Sequence, residues 1–144
     1  MIKNAENEQL QKGLTDHLGE TESHVDRLET IFEQLDMAPK KLKVEAIRGL
    51  IDDASWCMEQ DTTSATLDSM IIASASYIEH YEIAGYTSLL AWAELLGLDD
   101  AQALIQQTLD EETNADATLA EAAEEVNEEA NVTLEDEEEE DEEV

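Results

Sequence analysis

Glu79 and Glu82 stand three residues apart in Tyr-Ile-Glu-His-Tyr-Glu-Ile-Ala-Gly-Tyr, residues 77–86, inside a long run with helical apolar spacing. On a helix they lie about 60° apart and project into one space. Their face, followed in both directions, gives Ile72, Ala75, Tyr86, Leu90 and Ala93, so the carboxylates occupy an otherwise apolar stripe. Two acids on a buried face repel one another and lose hydration unless a proton or a cation compensates them. That chemistry points to metal binding. The plainer alternative puts Glu79 at the wet edge of the stripe and leaves Glu82 half buried against a tyrosine.

Two further segments carry similar residues. Near the N-terminus His17, Thr21 and His24 lie on or beside an apolar stripe, and Glu20 precedes His24 by one turn, about 40° away on the same flank. Glu20 and His24 could share a cation, or the imidazole could simply pack at a half-buried position. Toward the C-terminus Glu112 sits directly in the series Ile105, Leu109, Leu119, Ala123, Val126, whereas Glu111 reads as a solvated acid. Carboxylates with an occasional His and no sulfur suit iron or manganese, and two ions bridged by shared carboxylates fit the number of acids. Tyr81 or Tyr86 would then hydrogen-bond a ligand or relay an electron.

These side chains need helices to position them. Leu10, Leu14, Leu18, Val25, Leu28, Phe32 and Leu35 recur at spacings near three and four, predicting an amphipathic helix over about 9–35. Residues 1–8 are polar and read as a flexible lead-in. The Asp36–Lys41 stretch, with the single Pro, breaks the pattern; a shorter crossover helix follows over about 42–59. Asp61, Thr62 and Thr63 offer caps for a long helix over about 65–96 that ends at Gly97. The last helix is expected over about 100–129. Residues 131–144 are low-complexity acid and are expected to be disordered, leaving a domain of residues 9–130.

Composition agrees with an all-α protein: 144 residues with one Pro, five Gly, 42% hydrophobic and 4% aromatic residues. The net charge of −31 repels nucleic acid and anionic membrane, so neither is an expected partner. Glu135–Glu143 holds nine of the 38 acids; the remaining 29 against 7 bases still leave about −22. Lys40, Lys41, Lys43 and Arg48 hold four of those seven bases and read as an electrostatic counterweight to the acidic tail or to a neighbouring protomer. One cysteine, Cys57, permits neither an intrachain disulfide nor a thiolate cluster and suits a reducing cytoplasm. No secretory signal, membrane-spanning apolar run, phosphate loop, dinucleotide fingerprint or nucleophile-base pair is visible.

Four segments carry a resemblance: His-Leu-Gly-Glu-Thr-Glu-Ser-His-Val-Asp-Arg-Leu-Glu (17–29), Glu-Ala-Ile-Arg-Gly-Leu-Ile (45–51), Ile-Glu-His-Tyr-Glu-Ile-Ala-Gly-Tyr (78–86) and Thr-Leu-Asp-Glu-Glu (108–112). In order and spacing the chain resembles the YciE/YciF family of ferritin-like proteins over roughly residues 9–126. The resemblance implies a ferritin-like bundle of three long helices plus the shorter crossover helix, a homodimer, a link to stress responses and a ferroxidase-type dimetal carboxylate site. Carried over by position, the ligands are Glu20 and His24 on one helix, Glu79 and Glu82 on the next long one, and Glu112 on the last. Members usually begin with another long helix that adds a carboxylate, and this chain starts too late to contain it. The competing expectation is therefore a metal-free helical structural or interaction protein with a degenerate site; action through the acidic tail alone is a third.

Overall fold

The computed structural model describes residues 1–142, with side chains through residue 131. Four helices follow in order: α1 (Glu8–Gln34), α2 (Glu45–Cys57), α3 (Ser64–Leu96) and α4 (Asp99–Glu142). Among the described residues there is no strand. The acidic segment expected to be disordered lies, beyond Asn131, outside the residues whose side chains are described, although the bounds of α4 extend to Glu142.

α1 and α3 begin at side-chain caps, whereas α2 starts at Val44 without one. Asn7 accepts from the Leu10 N–H at the start of α1, and Thr63 accepts from the Thr66 N–H at the start of α3. Gly97 closes α3 in the left-handed region at φ 68°, a conformation costly for a residue with a Cβ, and its N–H returns to the last turn. The chain then reverses within two residues into α4. That short turn makes α3 and α4 an antiparallel hairpin with the most extensive packing in the molecule. α1 lies along α4, and α2 covers part of α3.

The buried positions of α4 recur at alternating steps of four and three: Ala101, Ile105, Thr108, Glu112, Ala115, Leu119, Ala122 and Val126. α3 repeats the pattern through Asp68, Ile72, Ala75, Glu79 and Tyr86. Seams of this period let two helices interdigitate along their length at a shallow crossing angle. At one end Leu10 of α1 joins Ile71, Ile72, Ala75, Leu119, Ala122 and Val126; at the other Leu28 and Ile31 pack on Tyr86, Ala93 and Ile105. Small residues bring α1 and α4 close, and a Cβ on Gly13 would stand 3.3 Å from the Thr118 methyl.

Two expectations change. Leu18 and Val25, assigned to the core-facing stripe of α1, are 51% and 53% exposed, because α1 turns His17, His24 and Arg27 inward instead. Within residues 1–8, read as a flexible lead-in, Asn4 and Ala5 close a turn onto the Met1 carbonyl, Ala5 is buried and Glu8 already opens α1. Asp68 of α3 accepts from the Glu6 N–H at 3.0 Å and the Asn7 N–H at 2.7 Å, anchoring the start of α1.

Candidate metal centre

The two packed clusters leave a polar level between them, and it is built from one stretch of each long helix. α1 contributes His17, Glu20, His24 and Arg27, at steps of three, four and three on one face. α3 contributes Glu79 and Glu82, and α4 contributes Thr108, Glu111 and Glu112. Glu112 is wholly buried, Glu79 is 5% exposed and His24 2%.

His17 occupies the centre. Its Nε2 lies 3.2 Å from Glu79 Oε2 and 3.4 Å from Glu112 Oε2, while its Nδ1 lies 3.1 Å from Glu20 Oε2. One donor atom from each of His17, Glu79 and Glu112 falls within 4.8 Å of the other two. His24 extends the group: Nδ1 is 3.0 Å from Glu112 Oε1, and Nε2 is 2.9 Å from Glu111 Oε2. Arg27 grips Glu111 with two nitrogens at 2.6 and 2.8 Å. Tyr86 sets its ring edge-on to His24 with centroids 6.2 Å apart.

The contacts to Glu20 and Glu111 are hydrogen bonds, whereas those to Glu79 Oε2 and Glu112 are short without being aligned. Both Glu112 oxygens, Glu79 Oε2 and His24 Nδ1 are buried and lack any partner in hydrogen-bond alignment. Buried polar atoms are otherwise almost always paired. Here acceptor atoms from three helices face one another with no aligned donor between them, and a proton or a cation placed among them would satisfy them. The donor set of three carboxylates and two imidazoles, Glu79, Glu82, Glu112, His17 and His24, with no sulfur, is one that iron or manganese accepts.

The charges show what holds the group together without a metal. His17 is pushed up to about 9, chiefly by Glu79, and is the cation of the cluster at neutral pH. Burial, reinforced by Glu79 and Glu82, pushes Glu112 up to about 9, so it carries a proton. Burial alone would also raise Glu79, but His17 and then Glu112 hold it below the ordinary carboxylate value. Burial and Glu79 raise Glu82. Burial keeps His24 neutral, and Arg27 holds Glu111 down to about 2. Burial pushes the Tyr86 phenol up to about 12.

Of the residues the sequence singled out, Glu79, Glu112 and His24 meet in one place. Glu82 is half buried beside them, and Glu20 stands one contact out, on the far nitrogen of His17. Glu20 and His24, which the sequence offered as able to share a cation, contact His17 and Glu111 respectively. Glu111, read as a solvated acid, is instead tied to Arg27 and His24 across the helix interface. His17 was noticed beside the stripe but not assigned. The signal that could have found it is its seven-residue spacing from His24, two full turns on one face.

Two cavities reach the centre. One of about 300 Å³ runs between α1 and α4 past Leu10, Gly13 and Leu14 to His17, Glu20 and Glu79. The other, about 540 Å³ and wider, opens on the α1/α3 face, where Met1–Asn4 form one wall and Leu18, Thr21, Ile78 and Glu82 line the approach.

The fold and the site together define a helical bundle protein with a buried carboxylate and histidine cluster at mid-height. Its sequence matches, over residues 1–131, the family described as a domain of unknown function, DUF892. The chain belongs to that family. It is 36% identical over 118 residues to Protein YciF of Escherichia coli (strain K12), covering 81% of this chain and 71% of the relative. The crystal structure of the E. coli stress protein YciF superposes with a TM-score of 0.84 at 33% identity, covering 88% of this chain and 80% of that one. YcfI from Rhodopseudomonas palustris, whose description proposes a structural role, superposes with a TM-score of 0.80 at 40% identity, over 83% of this chain and 76% of that one. The ferritin-like bundle of three long helices and a shorter crossover helix stands. No described helix is long and apolar enough to cross a membrane.

Proposed function

We propose that the protein binds iron or manganese through Glu79, Glu112, His17 and His24, with Glu82 and Glu20 completing or feeding the site. The observation that carries this reading is the set of buried Glu112, Glu79 and His24 atoms that have close neighbours and no hydrogen bond. Glu112 presents Oε2 toward His17 and Oε1 toward His24, so His17, Glu79 and Glu112 would hold an ion, with His24 on the second Glu112 oxygen. A bound iron pair would supply one-electron chemistry toward oxygen or peroxide, making the protein a ferroxidase-type oxidoreductase. Around it the chain's own groups have defined work. Glu79 and Glu112 would neutralise the cations, His24 would offer a nitrogen lone pair, burial excludes water, and the Glu20 carboxylate, 3.1 Å from His17 Nδ1, orients that ring by hydrogen bonding.

The protein acts in the cytoplasm as part of a stress response, the role its E. coli relative carries by description, and it works as a homodimer. Exposed Leu89, Trp92 and Leu96, on one face of α3, with Leu95 83% exposed beside them, support self-association. Neither nucleic acid nor membrane is a partner, given the acidic surface.

A ligand that binds only the folded chain stabilises it by mass action. Mn(II) or anaerobic Fe(II) is therefore expected to raise the melting temperature of the intact protein, and Glu112→Ala to remove the gain. Coincident melting curves with and without metal would defeat the reading. The second reading, a metal-free structural protein, is favoured by the charge state of His17, which already places a cation between Glu79 and Glu112. Elemental analysis of protein purified without chelator separates the two.

A further inference from the structure

Glu111 is engaged far beyond what a surface ion pair shows. Arg27 Nη2 donates to Oε1 at 2.8 Å and Nη1 to Oε2 at 2.6 Å; Gln107 Nε2 donates to Oε1 at 3.1 Å. The same Arg27 Nη1 donates to the buried Thr108 hydroxyl at 3.1 Å, so the guanidinium itself has a fixed seat. The remaining approach to Glu111 Oε2 is taken by His24 Nε2 at 2.9 Å. A carboxylate gripped in this two-point fashion only accepts hydrogen bonds. The imidazole nitrogen facing it therefore bears the hydrogen. In a neutral ring the other nitrogen, Nδ1, is then left with a lone pair, and Nδ1 is the atom 3.0 Å from Glu112 Oε1 with no aligned partner.

We infer that Arg27 and Glu111 are positioning residues: a clamp that selects the Nε2–H form of His24 and so turns Nδ1 into an electron-pair donor aimed at the Glu112 carboxyl. Metal-binding histidines generally donate their second ring N–H to a carboxylate, which fixes the ring and raises its basicity. Here the carboxylate is on α4, the imidazole on α1, and the arginine that immobilises the carboxylate is one turn beyond the imidazole. The clamp thus also fixes the rotation of α1 against α4. The part of the inference that concerns metal affinity rests on the metal-binding reading; the part that concerns the tautomer does not.

The test uses the full chain labelled with ¹⁵N-histidine. Long-range ¹H–¹⁵N correlation of the metal-free wild type is expected to give the Nε2–H pattern for His24. Arg27→Gln and, independently, Glu111→Gln are expected to give mixed or Nδ1–H patterns while circular dichroism retains the helices. Arg27→Lys keeps the charge but loses the fork and is expected to restore the pattern only in part. Mn(II) affinity should fall by about 10- to 100-fold in Arg27→Gln. An Nδ1–H pattern in the wild type, or an unchanged pattern and affinity in both variants, overturns the clamp. The expected pattern with no Mn(II) uptake by the wild type leaves the clamp standing and sinks the metal reading instead.

Discussion

Glu112 is the residue on which the chemistry turns, and its burial sets the pH behaviour. In the unfolded chain it ionises near the ordinary carboxylate value of 4.5; in the folded protein it holds its proton up to about 9. A group that binds a proton more tightly in the native state loses its stabilising contribution as pH rises between those two values. His17 acts in the same direction, from its ordinary 6.5 to about 9. The metal-free protein is therefore expected to show a melting temperature that falls from about pH 4.5 to 9, more steeply above 6.5 where both groups act, read by calorimetry. Glu111 acts in the opposite direction at low pH: its contribution, complete above 4.5, is lost as pH falls toward about 2. Metal must displace the protons of His17 and Glu112, so titration calorimetry in buffers of different ionisation enthalpy should report release of about two protons per binding event near pH 7. Glu112→Met should strengthen the metal-free fold by about 1–3 kcal/mol in urea denaturation, since apolar replacement of a buried ionisable group removes its desolvation cost. It should abolish metal binding at the same time.

The helices were legible from their apolar period and, for α3, from its punctuation, Thr63 at the start and Gly97 at the end. Glu79 and Glu112 were legible because an acid in an apolar series conflicts with burial. The rotation of α1 was not legible. Counting apolar residues selected Leu18 and Val25, but the seam that faces α4 runs through His17, His24 and Arg27, whose partners lie far away on another helix. No periodicity of apolar residues can reveal an interface whose contacts are ionic. Glu111 was hidden for the same reason, since its companion Arg27 is 84 residues distant in sequence. The anchoring of residues 1–7 was equally invisible, because it depends on the carboxylate of Asp68 reaching two backbone N–H groups from α3. Asp68→Ala should leave those donors without partners and cost about 1–3 kcal/mol in urea denaturation. α3 and α4 would keep their packing, so hydrogen exchange should rise selectively at the start of α1.

The molecule as a whole combines a charge of −31 with a face of exposed aromatic and aliphatic side chains, Trp92 and Leu95 among them. In the proposed homodimer, pairing of two copies through that face would bring like charges together, which added salt screens. Sedimentation should therefore report tighter association as ionic strength rises, and Trp92→Asp should yield the single-chain species at every salt concentration. A surface-charge interaction between unlike partners would respond to salt with the opposite sign.

Met1–Asn4 form one wall of the wider cavity leading to His17 and Glu82. An affinity tag fused ahead of Met1 would sit at the doorway of the centre, and a polyhistidine tag would bring there a ligand competing for the same ions. Metal stoichiometries measured on such a fusion would report the purification handle as much as the protein; untagged chain, recovered by anion exchange on its own acidity, avoids the confusion.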